Sequence, residues 1–292
     1  MITFVPMKLI ADSGSTKTDW ALTREDEVVA QYQTQGINPF HQSEEAILSV
    51  LRTELQPVLQ VSPSTIYFYG SGVRPELEAM MAGLLTTVFP EAEAEAHGDL
   101  LGAARAVCGA HEGIACILGT GANSCLYDGR QIVSNTPPLG YILGDEGSGA
   151  VLGIRFLNAL YKGFLPSDIV VDFQQETGLT MADVISRVYR QPMANRFLAS
   201  LAPFISRHQD QPEVRQLMTD HFRSFFSRNV VPYQRRDLAV SFVGSVAFYN
   251  QEILREAAAA EGFTVGRVLK SPIEGLASYH CKPENKPNNK EP

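Results

Sequence analysis

The apolar positions near the start of the chain form a continuous run, Leu9-Ile10-Ala11, which stops at Asp12-Ser13-Gly14-Ser15-Thr16-Lys17-Thr18 and resumes with Trp20-Ala21-Leu22. An apolar run, a turn of small hydroxylic residues and an alternating run predict two strands joined as a hairpin. Gly14 can take positive φ there, and its neighbours are short. Glu25-Asp26 then turns into a third run, Glu27-Val28-Val29-Ala30. The order of events repeats roughly a hundred residues later, about one domain length. Ala115-Cys116-Ile117-Leu118 leads to the turn Gly119-Thr120-Gly121, then to Ala122-Asn123-Ser124-Cys125-Leu126-Tyr127, and Asp128-Gly129 turns into Gln131-Ile132-Val133. Two copies of one pattern predict a duplicated fold with two facing hairpins that grip a ligand from both sides.

Between the copies, Ser43-Glu44-Glu45 starts a helix that runs to about Gln56. Thr65-Ile66-Tyr67-Phe68-Tyr69 reads as a buried parallel strand, with Gly70-Ser71-Gly72 at its carboxyl end, the usual ligand edge of an α/β sheet. Arg74-Pro75-Glu76 opens a helix through about Phe89, residues 91–96 alternate as a short edge strand, and Asp99 opens a helix of small residues. Beyond the second copy, the segment from Pro137 to Ala150 is rich in glycine and carries Asp145 and Glu146 ahead of a helix that runs to about Tyr161. Residues 167–233 are helical and amphipathic, broken at Pro192, Pro203 and Pro212, and predict an all-helical insertion that walls a cleft. Leu238 to Val243 is a buried strand, Gly244-Ser245-Val246-Ala247 turns into a helix through about Glu261, a last strand region spans Phe263 to Leu269, and Ser271-Pro272 starts a short final helix. The resulting division is an N-terminal domain at 1–109, a C-terminal domain at 110–280 and a polar tail at 281–292, too poor in apolar residues to be ordered.

Composition narrows the function. The chain has 292 residues, 45% of them hydrophobic and 19% charged, which suits a globular protein of two domains. A net charge of −8 argues against a general nucleic-acid binder, because such binding needs a basic surface to displace counterions. No apolar run has the length of a bilayer span, and residues 1–6 lack the charged start of a secretory signal, so a cytoplasmic protein with no membrane partner is expected. The strand pattern begins at Met7, so residues 1–6 are expected to be dispensable. Cys108, Cys116, Cys125 and Cys281 show no metal-ligand spacing and read as buried thiols.

The candidate chemistry lies in the turns. Backbone N–H groups at the tips of both hairpins form concave cradles for phosphate oxygens. Ser15, Thr16 and Lys17 add donors and a positive charge, and Asp12 ends its strand as a carboxylate able to hold Mg2+ through water. Gly244-Ser245 offers N–H groups to phosphate or ribose. Asp145 and Glu146 suit hydroxyl groups. Asn38, held extended before Pro39, either aims its amide at a polyol or stabilises its own turn. Asp99 is an N-cap, a general base at the mouth of the cleft, or both. His208 and His221 read as surface or capping residues.

Taken in order, Asp12-Ser13-Gly14-Ser15-Thr16-Lys17-Thr18, Gly119-Thr120-Gly121-Ala122-Asn123-Ser124, Gly144-Asp145-Glu146-Gly147-Ser148 and Val243-Gly244-Ser245-Val246 make the chain resemble the actin-like ATPase and sugar kinase superfamily, and most closely the N-acetylglucosamine kinases of the BadF/BadG type. The likeness spans Ile10 to about Tyr279. It implies an α/β fold of two ribonuclease-H-like domains closing over ATP and Mg2+, with a sugar in the cleft. It also implies ATP contacts at Thr16, Thr120 and Ser245 within the phosphate and adenosine motifs, and sugar contacts at Asn38, Ser71, Gly72, Ala122, Asn123, Gly140, Tyr141 and Asp145, with Asp99 as the base. Ser13 and Ser15 stand where many relatives have glycine, and His97-Gly98 precedes Asp99 where an Asn-Asp pair is common. The implied reaction is phosphorylation of the 6-hydroxyl of N-acetylglucosamine or a close amino sugar, by a protein for which a homodimer is the candidate assembly. The alternative is an ATPase that activates a partner enzyme without an iron–sulfur cluster, since the cysteines show no grouping of thiolates. A sugar-sensing repressor half is disfavoured because no room for a DNA-binding helix pair precedes Leu9.

Overall fold

The computed structural model describes residues 6–14, 16–25 and 27–281. Ser15, most of the segment 1–6 and the tail after Cys281 lie outside them, and with them the expectations about dispensability and tail disorder. Among the described residues the strands form two five-stranded sheets. The first contains β1 (Met7–Ser13), β2 (Lys17–Arg24), β3 (Glu27–Gln35), β4 (Thr65–Gly70) and β5 (Glu93–Gly98) in the order β3-β2-β1-β4-β5. The second contains β6 (Glu112–Leu118), β7 (Ala122–Asp128), β8 (Ile132–Ser134), β9 (Val240–Val243) and β10 (Val265–Leu269) in the order β10-β9-β6-β7-β8. Read from their hairpins, the two orders are the same: a central strand, two antiparallel strands to one side, two parallel strands to the other. This is the duplication expected from the repeated pattern, in a mixed α/β fold.

The chain divides into two compact units, one holding the described residues up to His111 together with 129–131 and those from Ser271 on, the other holding the rest. In the first, β1 is buried on both faces at Leu9, Ile10 and Ala11, which accounts for its unbroken apolar run. Trp20 of β2 is fully buried and donates its Nε1–H to Thr34 Oγ1 of β3 at 3.0 Å, so its polar handle is satisfied. The helices here are α1 (Glu44–Val50), continued by a π turn at Leu51–Leu55, α2 (Pro75–Val88) and α3 (Asp99–Cys108). The final helix, α13 (Ile273–Cys281), belongs to this unit although its place in the sequence puts it with the second domain. It lies on α3 so closely that a Cβ on Gly275 would stand 2.6 Å from the Ala106 carbonyl oxygen. Cys281 ends this helix rather than starting the polar tail and is a buried thiol, as expected, like Cys116 and Cys125, whereas Cys108 is only partly buried.

In the second unit α4 (Gly140–Leu143) and α5 (Gly149–Tyr161) follow the sheet's antiparallel strands. The helical insertion comprises α6 (Ser167–Thr177), α7 (Met181–Tyr189), α8 (Ala194–Ala199), α9 (Ala202–Arg207) and α10 (Pro212–Phe225), and α11 (Ser245–Tyr249) and α12 (Gln251–Ala260) separate β9 from β10. Phe156 of α5, Phe173 of α6 and Phe204 of α9 meet at centroid separations of 5.5–5.6 Å, while Phe225, Phe226, Phe242 and Phe263 tie α10 to the sheet. Insertion and sheet thus share one core. No helix among the described residues is long and apolar enough to cross a membrane.

Candidate active site

In the first unit β3 runs parallel to β1 through two antiparallel pairings, and β4 and β5 pair in parallel beyond it. The carboxyl ends of these four strands therefore lie along one sheet edge, followed by Gly14, Asn38, Ser71-Gly72 and Asp99. Ser13 clasps them. Its buried Oγ donates to the Ile37 carbonyl at 2.8 Å, accepts from the Ile37 N–H at 3.0 Å and pairs with Thr18 Oγ1 at 2.7 Å, while its own carbonyl accepts from Ser71 N–H at 2.8 Å. Ser13 is thus a structural fastening. Gly72, at φ 84°, comes so near Asn38 that a Cβ would stand 2.1 Å from Oδ1. Asn38 Oδ1 accepts from the Phe40 N–H at 3.0 Å, so the turn-stabilising role is present, and its NH2 end remains to offer as a donor.

Burial pushes the Asp12 carboxyl up to about 7, with repulsion from Asp99 and Asp19 adding to it and Lys17 partly offsetting it. Asp99 is likewise raised by burial, against the N–H groups of Leu100 and of Asp99 itself, which favour its charge. It is the first residue of α3, and the N-cap position belongs to Gly98, which corrects the capping alternative. Lys17 is exposed and paired with Asp19 at 2.8 Å, and the Thr16 carbonyl accepts from Gly36 N–H at 3.1 Å. Two repelling, dehydrated carboxylates are the donor set a hard divalent cation would stabilise. Among the described residues no three acidic, histidine or cysteine side chains converge. Asp12 therefore fits an ion that keeps most of its waters, as Mg2+ does.

In the second unit Gly119 N–H donates to the Gly121 carbonyl at 3.0 Å, closing the β6–β7 turn. The first N–H groups of α5, on Gly149 and Ala150, bind the carbonyls of Gly119 and Thr120 at 2.8 and 3.2 Å, which locks turn to helix. Gly244, at φ 122°, lies where a Cβ would stand 2.2 Å from the Leu118 carbonyl oxygen, so only glycine lets the end of β9 reach the end of β6. Beside these turns opens a cleft of about 620 Å³ lined by Gly119, Thr120, Ser245, Val246, Tyr249 and Asn250, with α8 and α9 as its far wall. Its size is that of a small-molecule site, and hydroxyls of Thr120 and Ser245 sit among largely apolar walls. A nucleotide fits such a lining.

The glycine-rich segment folds back on itself: Asp145 N–H donates to the Pro138 carbonyl and Gly144 N–H to that of Gly140, both at 2.8 Å. Asp145 holds φ 54°, a conformation that non-glycine residues adopt mainly where structure or function requires it. Its carboxyl abuts Gly121, accepts from Ala122 N–H, and is pushed up to about 6 by burial, with Glu146 adding repulsion. Asp145, Gly121 and Ala122 are thereby brought together. Gly140 starts α4 at φ 74° and Tyr141 packs partly buried on the core. Glu146 is engaged by Asn229 Nδ2 at 3.3 Å and so is not simply free for a ligand hydroxyl. His208 ends α9 as a cap residue, but His221 is fully buried, and burial with the nearby Arg155 pushes it down to about 3, so the surface reading fails for it. Sequence reasoning missed Asn135, whose Nδ2 donates to Asn123 Oδ1, and the buried pair Asn229 and Tyr233; their only signal is position after the third strand of the repeat and at the end of the insertion.

Two sheets of one strand order, each with a glycine hairpin on its central strand, define the actin-like ATPase fold used by sugar kinases. No family model and no curated protein matches the chain. Among solved structures, a candidate N-acetylglucosamine kinase from Porphyromonas gingivalis is 50% identical with a TM-score of 0.92, over 95% of this chain and 100% of that one. The chain belongs to the family of that protein, among the sugar kinases. A candidate N-acetylglucosamine kinase from Chromobacterium violaceum (19% identity, TM-score 0.66, 94% and 99% coverage) and a ROK hexokinase from Thermus thermophilus (13%, 0.52, 94% and 96%) share the fold.

Proposed function

We propose that the protein is an ATP-dependent kinase of the BadF/BadG type that transfers the γ-phosphoryl group to the 6-hydroxyl of N-acetylglucosamine or a close amino sugar. The observation that carries this reading is Asp99, a half-buried carboxylate with a raised pKa at the carboxyl end of a parallel strand. Half the residues are shared with a candidate kinase of that sugar, which supports the choice of substrate.

In this mechanism Asp99 accepts the proton of the attacking hydroxyl at a carboxylate oxygen, a contribution of about 10²- to 10⁴-fold. Asp12 would hold Mg2+ through water, and the ion when bound supplies charge neutralisation at the phosphates. Gly14, Ser15, Thr16 and Lys17 are assigned to the phosphates in the first unit, and Gly119, Thr120, Gly121, Gly244 and Ser245 to the nucleotide in the second. Asn38, Ser71 and Gly72 are assigned to the sugar with Ala122, Asn123, Gly140, Tyr141 and Asp145. The Asp145 carboxylate accepts from sugar hydroxyls, and the amides of Asn38 and Asn123 donate to sugar oxygens.

ADP release measured over a panel of hexoses and amino sugars, with and without Mg2+, tests the reading. Release that requires both Mg2+ and N-acetylglucosamine is expected. Release independent of any sugar would favour a partner-activating ATPase, and no release with any sugar would overturn the kinase.

A further inference from the structure

The amide of Asn123 is held by one end. Its Oδ1 accepts from Ser124 N–H at 2.9 Å and from Asn135 Nδ2 at 2.9 Å. The opposite flip would set NH2 against two donors, so the oxygen faces the protein and the two N–H bonds are what Asn123 has to give. Asn135 is itself fixed. Its Nδ2 has two protons, and the shorter contacts, to the Ser124 carbonyl at 2.6 Å and to Asn123 Oδ1, use both. The loop that carries it is pinned next door: Thr136 N–H donates to Tyr233 Oη at 2.9 Å, and Thr136 Oγ1 donates to the Asn229 carbonyl at 3.1 Å. Tyr233 Oη and the Asn229 carbonyl also hold the buried Ser124 hydroxyl at 2.7 and 3.1 Å, so the strand bearing Asn123 and the loop bearing Asn135 share one anchor.

We propose that Asn135 is a positioning residue that sets the orientation of the Asn123 amide, so that the site presents a donor and reads an acceptor oxygen on the sugar. The proposal rests on the assignment of Asn123 to the sugar. Without the Asn135 donor, only the Ser124 N–H holds the amide, its ordering before binding is weakened, and sugar affinity falls while the phosphoryl-transfer step is spared.

N135D replaces the donor by a carboxylate facing two acceptors, Asn123 Oδ1 and the Ser124 carbonyl. At pH 8 it should raise KM and the calorimetric Kd for N-acetylglucosamine about tenfold or more, with kcat and the KM for ATP within about threefold, as expected when only ground-state binding is lost. The two acceptors facing the introduced acid favour its protonated, donating form as the pH falls, so the ratio of variant to wild-type KM should shrink between pH 8 and pH 5; using the ratio cancels the titration of Asp99 and Asp145. N135A, which removes the donor without repulsion, should give a smaller rise at both pH values. N123A should raise KM at least as much as N135D. If N123A raises KM and the Asn135 variants do not, the positioning role is overturned. If N123A itself leaves KM unchanged, the sugar assignment of Asn123 fails and the proposal with it. A loss in N135D that is equal at both pH values and falls on kcat would show a merely structural residue.

Discussion

At the level of single residues, the site depends on carboxylates kept in surroundings that disfavour their charge. Asp99 gains from this as a base, because a carboxyl whose pKa burial raises holds an accepted proton more readily than an ordinary aspartate does. D99N keeps the shape and the N–H contacts at the start of α3 but removes the basic oxygen. Turnover should fall by about 10²- to 10⁴-fold while calorimetric affinity for ATP stays within about threefold, since binding and chemistry then separate. Unchanged turnover would remove Asp99 from the mechanism. Residues of this kind were readable in the sequence where local rules place them: Asp12 ends an apolar run and Asp99 stands before a run of small residues. The burial of His221 was not readable, because nothing within a turn of α10 announces that the Gly147-Ser148 backbone covers it. Neither was the use of the Asn38 oxygen in its own turn, which two local readings allowed equally.

Elements were legible to the extent that their determinants are near in sequence. Both hairpins show themselves through a glycine and short hydroxylic residues between apolar runs, and their repetition predicted a duplicated fold, which takes the form of two sheets of one strand order. The partner of an amphipathic helix is a different matter, because an apolar face does not name the surface it covers. The α13 helix shows this. Its Ile273, Leu276 and Ala277 form a buried stripe that would serve in either unit, and what selects α3 is the small-residue contact of Gly275 with Ala106. A Cβ there meets backbone at 2.6 Å and the Ala106 Cβ at 2.9 Å, and backbone cannot swing aside as a flexible side chain can. G275A should therefore cost about 1–3 kcal/mol of stability, read as a lowered urea midpoint, whereas E274A at the exposed neighbouring position should stay within about 0.5 kcal/mol. Equal midpoints for G275A and wild type would mean that α13 sits looser on α3 than the close approach implies.

For the molecule as a whole, the buried titratable groups dictate how stability varies with pH. His221 and His280 are pushed down to about 3 by burial, so between pH 3 and their ordinary range near 6.5 the unfolded chain binds more protons, and stability rises with pH over that window. Asp12, Asp99 and Asp145 are pushed up, so above pH 3.8 the folded chain holds the extra protons, and stability falls with rising pH until about 6 for Asp145 and about 7 for Asp12. Each proton is worth about 1.4 kcal/mol per pH unit, and the two trends oppose each other between pH 4 and 6. The ligand-free protein should show a broad plateau there, a steep loss below pH 4 and a further decline toward pH 7, when the histidines no longer compensate. D12N isolates the last part. The shift of Asp12 is worth at most about 4 kcal/mol at pH 8, and relaxation and water entry reduce it to about 1–2 kcal/mol. D12N should thus raise the urea midpoint at pH 8, leave it unchanged at pH 3.5, and lose Mg2+-dependent ADP release. The gain in stability and the loss of activity have one cause, a carboxylate that the fold disfavours and a bound cation would stabilise. A midpoint unaffected by D12N at pH 8 would show that Asp12 is solvated in the folded protein and would remove the basis for placing the metal there.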